Sequence, residues 1–345
     1  MNILLIKLGA LGDVLRTTPL LTALKREYPR SSLTWVVDRA HEEVLKGNLL
    51  IDRLKEISDA TVEWVQTQYF DLALCLDKEA EATHLMAMAN ATKKMGFTQD
   101  ERGALSAADP RSDYALRLGL DDELKFRQNR KTYQEISFEQ AGLEFRGEEY
   151  VFPANEAAAA AAASHLKSLK VNPNALKHPV IGLNTGSGAR FAGKKLPVET
   201  VARLAEQFHE KMGGTIFLLG GPEELVRNAA IQTLARCPVV STGSHPISVF
   251  AEIVKLCDMV LTGDTTAMHV AIAVKTPVLA YFASTCAQEI EMYGRGRKIV
   301  SEIECAPCYK KDCPIDEQCM KDMRVDRIFH EAEILLGRDH ATSVS

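Results

Sequence analysis

Short apolar runs without polar interruption stand out first. Ile3-Leu4-Leu5-Ile6 is one, and Val180-Ile181-Gly182-Leu183 is another. Runs of that length fit strands buried on both faces, as in the middle of a parallel sheet. The pattern predicts strands at Asn2–Leu8, Leu33–Val37 and Asp71–Leu76 in the first half. In the second half it predicts Pro179–Leu183, Thr215–Leu219, Val239–Ser241, Met259–Thr262 and Val278–Phe282. Between them the period lengthens. Leu20, Leu21 and Leu24 with Lys25 and Arg26 read as helix, as do Val198–Met212, Glu223–Ala235, Ile247–Leu256 and Thr266–Val274. Strands alternating with helices imply parallel sheets covered on both faces. The alternation restarts near residue 179, so the expected fold is α/β with two Rossmann-like domains whose sheets face each other across a cleft. Ligands of open α/β sheets bind at the carboxyl ends of the strands.

The halves are expected to join through "NEAAAAAAASHLKSLK" and "VNPNALKHP". Asn155 suits a helix N-cap, and the alanines after it have high helix propensity. That helix is read as closing a domain of residues 1–174, with the Pro/Asn-rich stretch as linker. A second domain covers 175–325. Residues 326–345 form an amphipathic helix (Val325 to Leu336) and a polar tail expected to fray.

The length of 345 residues fits two domains. The net charge of −5 argues against a general nucleic-acid binder. No apolar run is long enough for a membrane span, and Lys7 interrupts the amino-terminal stretch where a signal peptide would need continuity. A cytoplasmic protein is expected. Of the eight cysteines, Cys75, Cys237, Cys257 and Cys286 are scattered in apolar contexts and read as small buried hydrophobes.

Four strand ends carry chemistry. "GALGDVLRTTPLL" (9–21) follows the first strand and is neither a dinucleotide fingerprint nor a P-loop. If the helix starts at Pro19, Asp13 lies in the loop; if it starts earlier, Asp13 caps it and Pro19 marks a kink. Cap and catalytic group both remain open. In "VLTGDTTAMHVAIA", the amides of Thr265, Thr266 and Ala267 at a helix start form a ready diphosphate site, with His269 in the first turn. "GLNTGSGARFAGKKLP" brings glycines, Thr185, Lys194 and Lys195 to the same sheet edge. "FLLGGPEE" brings Glu223 and Glu224, carboxylates suited to ribose hydroxyls.

In order and spacing, "KLGALGDVLRTTPLLTALKREYP", "FDLALCLD", "KKMGF", "GKKLP", "LLGGPEE" and "GDTTAMHVAIAVKTPVLAYFAST" resemble the ADP-heptose:lipopolysaccharide heptosyltransferases of glycosyltransferase family nine, which have the GT-B fold. The resemblance runs to about residue 325. It implies Asp13 as catalytic base, Lys194 at the donor phosphates, Glu224 near the donor ribose, and Gly263, Asp264, Thr265 and His269 in the donor-binding turn. Three positions depart from the family pattern. Thr266 stands where glycine is usual, Ala283 where Phe-Gly precedes the turn, and Leu196 where tryptophan often precedes proline.

The implied reaction is an inverting single displacement on ADP-heptose, with no catalytic cofactor and a saccharide acceptor of the lipopolysaccharide core. The rivals are a nucleotide-sugar epimerase on the same fold and a degenerate, non-catalytic nucleotide-sugar binder. A lipid-anchored acceptor implies peripheral contact with the inner face of the cytoplasmic membrane. "KFRQNRK" (125–131) puts Arg127 and Arg130 forward for acceptor phosphates, against the reading of a solvated helix. Cys305, Cys308, Cys313 and Cys319 lie within fifteen residues. Such a cluster suits structural zinc or iron, with local disulfides or unliganded thiols as alternatives.

Overall fold

The computed structural model describes residues 1–188, 191 and 193–338. The polar tail beyond Arg338 lies outside the described residues. The chain divides into two compact units. One is Met1–Ala154 with Gln288–Glu291, the other Asn155–Ala287 with Met292 onward.

The first unit is built on β1 (Asn2–Ile6), β2 (Ser32–Val37), β3 (Arg53–Glu56), β4 (Phe70–Cys75), β5 (Ala91–Gln99) and β6 (Leu105–Ala107). Their order across the sheet is β3-β2-β1-β4-β5-β6. All pairs are parallel except β5–β6. Ile3 to Ile6 are fully buried, as a central parallel strand requires. One face of the sheet packs Leu4, Ile6, Val36, Ala73 and Cys75 on Val65, Leu85 and Met86.

The second unit is built on β7 (Val180–Asn184), β8 (Thr215–Leu219), β9 (Val240–Ser241), β10 (Met259–Gly263), β11 (Val278–Phe282) and β12 (Gly296–Val300), all parallel. The order is β12-β11-β10-β7-β8-β9. Counted from the first strand of each unit, both sheets have the same doubly wound order. In each, the strand order reverses between the first strand and the fourth, at β1/β4 and β7/β10. That switch point is where such sheets open a crevice for ligands. This is the GT-B architecture the sequence implies.

The helix Val198–Met212 shows how sequence sets the covering layer. Val201, Ala202, Leu204, Ala205 and Phe208 recur at helical spacing and are buried, and Gly213 ends the helix in the left-handed conformation. The carboxyl-terminal helix Val325–Leu335 packs through Val325, Ile328, Phe329 and Ala332 onto the same core, so it belongs to the second unit. Among the described residues no helix is long and apolar enough to cross a membrane.

The expected boundary at 174/175 is corrected. The alanine-rich helix, Glu156–Ser168, belongs to the second unit, where it packs on the helix Ile247–Lys255. Leu166 is fully buried there, and His165 Nε2 lies 2.8 Å from the carbonyl of Thr242. Asn155 does cap it, accepting from the amide of Ala158 at 3.0 Å. The stretch read as an interdomain linker therefore runs within the second unit, between this helix and β7.

Candidate active site

In the second unit a cavity of about 270 Å³ opens at the β7/β10 switch point. Asn184 stands at the end of β7. Its side-chain amide lies 2.8 Å from the Gly186 carbonyl and 3.1 Å from the Thr262 hydroxyl, tying the ends of β7 and β10 together. Gly186, Ser187, Gly188, Gly220, Gly221 and Glu224 continue the lining. Thr265, Thr266 and Ala267 contribute the start of the helix Thr266–Ala273. The first amides of a helix have no intrahelical acceptor, and the helix dipole is positive there, so this edge of the cavity favours an anion. Ile247 and Phe250 form an apolar wall beside His245. Burial, with the neighbouring His165, holds His245 below the ordinary imidazole range.

Glu224 is 6% exposed and accepts from the Gly221 amide at 3.0 Å. Lys195 Nζ stands 3.5 Å from its carboxylate. A Cβ on Gly186 would come within 2.5 Å of Glu224 Cδ, so only glycine leaves the carboxylate its place. Lys194 Nζ lies 3.6 Å from Asp264, and Asp264 in turn 3.8 Å from His269 Nε2. These three charged or ionisable groups form a chain immediately before Thr265. Gly263 ends β10, where a Cβ would press within 2.8 Å of the Lys194 carbonyl.

Two residues expected at the donor lie outside the lining of this cavity. Thr185 is buried, and its hydroxyl donates to Asn228 Oδ1 at 2.6 Å instead of lining the cavity. The cavity-facing role at that point falls to Asn184, the residue before it. His269 is likewise buried, within the hydrophobic helix Thr266–Ala273, and reaches Asp264 but not the cavity lining. Of the departures from the family pattern, Thr266 lines the cavity, while Leu196 and Ala283 sit in the core.

The first unit has its own constellation at the β1/β4 switch point. Lys7 and Asp77 form a buried ion pair at 3.1 Å, their side chains 7% and 5% exposed. Asp77 also accepts from the amides of Leu8 and Gly9. Burial opposes the charge on Lys7, yet Tyr133, Asp13 and Asp77 outweigh it and raise its pKa. Gly9 is required by close approach, since a Cβ there would come within 2.7 Å of the His41 ring.

The helix after β1 begins at Leu11, not at Pro19. Asp13 occupies its third position and accepts from the Ala10 amide at 3.3 Å, so the capping interaction exists. A second helix, Pro19–Glu27, follows after a break at Thr18. Asp13 is not consumed by the cap. Its side chain is 28% exposed, and its other oxygen meets Arg16 at 2.8 Å. The Arg16 guanidinium stacks 3.9 Å from the centre of the Tyr133 ring, whose hydroxyl lies 2.8 Å from that of Thr17. Burial disfavours the charge on Arg16, but Asp13 and Tyr133 more than offset it, and its pKa is raised.

Sequence reasoning missed Lys7, Asp77, Arg16, Tyr133, Asn184 and His245. A signal existed for Asp77, a carboxylate two residues past the end of a buried strand. None existed for Tyr133, which lies far away in sequence.

Arg127 and Arg130 are exposed, on and just after a short π-helical turn, Leu124–Gln128. Arg130 donates to the carbonyls of Arg127 and Asn129. All eight cysteines are free thiols. Cys237 is half-buried, not buried as expected. Cys305, Cys308, Cys313 and Cys319 line one small cavity, and the Glu317 amide donates to the Cys313 sulfur at 3.2 Å. Yet among the described residues no group of three or more His, Cys, Asp or Glu side chains is disposed to hold a metal ion. The four thiols are gathered around that cavity, and the expectation of structural zinc or iron finds no support among the described residues.

Residues 61–318 match the sequence family described as glycosyltransferase family 9 (heptosyltransferase). The chain belongs to that family. It is 27% identical over 192 residues to lipooligosaccharide heptosyltransferase 2 of Campylobacter jejuni, a match spanning 51% of this chain and 60% of that protein. Its fold is similar to that of a family 9 glycosyltransferase from Veillonella parvula, with a TM-score of 0.76 at 20% identity over 97% of each chain. It is also similar to the E. coli ADP-heptose lps heptosyltransferase II, with a TM-score of 0.69 at 15% identity, covering 99% of this chain and 100% of that one.

Proposed function

We propose that the chain is an inverting glycosyltransferase that moves a heptose from ADP-heptose to a saccharide acceptor of the lipopolysaccharide core, without a catalytic metal. The observation that carries this reading is the cavity at the β7/β10 switch point, where the helix-start amides of Thr265–Ala267 and the buried Glu224 line one space. Family membership and the heptosyltransferase relative support it.

In this reading the donor diphosphate sits on the helix-start amides, with Lys194 as the cation beside it. Glu224 accepts from ribose hydroxyls, and Ile247 and Phe250 give the base an apolar wall. As the glycosidic bond breaks, positive charge grows on the sugar ring and negative charge on the leaving phosphate. Oriented donors that meet such growing charge are worth about 3–4 kcal/mol each. Asp13 takes the acceptor proton. A carboxylate with an ordinary pKa of about 3.9 is a weak base towards an alcohol, so it acts late, once bond formation has made that proton acidic. The Ala10 amide and Arg16 hold its two oxygens in one orientation. Arg127 and Arg130 meet anionic groups of the acceptor. A lipid-anchored acceptor places the protein in the cytoplasm, peripheral to the inner face of the membrane.

The test is incubation with ADP-heptose and a lipopolysaccharide-core acceptor in the presence of a chelator, with the product's anomeric configuration read by NMR. An inverted glycoside formed at full rate supports the reading. An epimerised donor, a retained configuration or no turnover overturns it.

A further inference from the structure

The proposed reaction leaves the cysteine-lined segment without a role, yet that segment touches the lysine loop at two places. The Tyr309 ring meets Phe191 edge-on, with centroids 5.3 Å apart and planes at 80°. The Phe191 ring in turn lies 5.8 Å from Lys194 Nζ. Beside this stack, a Cβ on Gly193 would lie 3.0 Å from Cys319 Sγ, so the backbone leading into Lys194 runs against that thiol. Gly193 has a φ of +65°, a conformation that glycine adopts without strain.

Tyr309 is itself held at several points. Its amide and that of Cys308 both donate to the Ser284 carbonyl, at 2.8 and 3.2 Å, and its hydroxyl accepts from the Cys286 amide at 3.1 Å. Ser284 and Cys286 follow directly on β11, so Tyr309 is anchored to the sheet while its ring reaches the loop.

We propose that Tyr309 and Phe191 are positioning residues for Lys194, and that the segment carrying the four cysteines is the brace that holds the donor's cation in place. The inference rests on the reading of Lys194 as the residue at the donor phosphates. Lysine has a long, freely rotating side chain and loses rotamer entropy when it closes on a phosphate. An aromatic ring near the ammonium, with Asp264 at 3.6 Å, restricts that side chain before the donor arrives.

The experiment is calorimetric titration of the full chain with ADP, which needs no turnover. Tyr309→Ala weakens ADP binding about three- to tenfold, the size of the lost edge-to-face contact that holds Phe191 beside Lys194. Tyr309→Phe, which keeps the ring, stays within about twofold of the parent by the same reasoning. Lys194→Ala weakens binding, and adding Tyr309→Ala to it costs nothing more. Phe191→Ala repeats the cycle should Tyr309→Ala fail to fold. A loss of equal size in both backgrounds overturns the proposal, as does no loss from Tyr309→Ala when Lys194→Ala weakens binding. If Lys194→Ala binds ADP as the parent does, the assignment of Lys194 fails and the brace has nothing to position.

Discussion

The Asp13 carboxylate lies 2.8 Å from the Arg16 guanidinium, less than one helical turn further along. That guanidinium is pinned in turn by the Tyr133 ring. The pair keeps the Asp13 carboxylate aimed. Asp13→Asn preserves the size of the side chain and removes the carboxylate proposed as the base. Turnover should fall about 10²- to 10⁴-fold. The ADP affinity should stay near that of the parent, because every residue lining the cavity proposed for the nucleotide lies in the other unit. Steady-state kinetics with parallel ADP titration checks both.

Asp77 should matter for stability. Asp77→Ala leaves the Lys7 ammonium buried without its partner and orphans the amides of Leu8 and Gly9. Breaking a buried pair from one side costs about 3–5 kcal/mol. Urea denaturation should register that loss in the first unit, while ADP still protects the second.

Gly186→Ala tests the cavity proposed for the nucleotide. The added methyl would drive into the Glu224 carboxylate, which the Gly221 amide and Lys195 hold. Overpacking of this kind costs about 1–3 kcal/mol. If the displaced carboxylate faces the ribose, ADP affinity should drop about tenfold or more, which corresponds to about 1.4 kcal/mol.

The exposed Arg127 and Arg130 should reveal themselves through salt. Replacing both with alanine should raise the acceptor KM severalfold at low ionic strength. The difference should shrink near 1 M salt, where the screening length falls to about 3 Å. The donor KM should not move.

Burial pushes the Cys75 thiol from 9.0 up to about 12. In the unfolded chain it titrates near its ordinary value. Between these two pH values the native state holds a proton that the unfolded state has released, so stability falls as pH rises through that window. The contribution is fully present below about 9. Cys75→Ala should flatten the decline without abolishing it, because Tyr281, pushed up by burial from 10.0 to about 12, contributes with the same sign. Urea midpoints across alkaline pH measure the difference.

The central strands of both sheets and most helices of the second unit are legible because burial writes itself into composition; in the first unit only the helix around Leu20–Leu24 is, while Asp59–Thr67, Ala80–Met88 and Tyr133–Ala141 are not. Val198–Met212 was read to the residue, and Met259–Gly263 to within one. The strands that escaped are Arg53–Glu56, Ala91–Gln99, Leu105–Ala107 and Gly296–Val300. They carry charged or polar residues and are half-exposed, or lie at the sheet edge, so no apolar run announces them. The boundary was misplaced for a related reason. Seven alanines say "helix" but show no face, and only the packing of Leu166 and His165 reveals which unit owns it. At the site, the loops were legible from glycines and charges, but side-chain direction was not. Asn184 and Thr185 are neighbours of similar polarity, and strand alternation turns only one of them to the cavity.

The short return of Gln288–Glu291 to the first unit sets a limit on dissection. Gln288 donates to the Lys125 carbonyl at 3.2 Å, and the charge of Glu289 helps raise the pKa of Arg16. A gene fragment ending at Ala154 therefore encodes an incomplete half, deprived of a counter-charge supplied by four residues encoded far downstream. Split-protein designs need to supply that tetrapeptide in trans or graft it back.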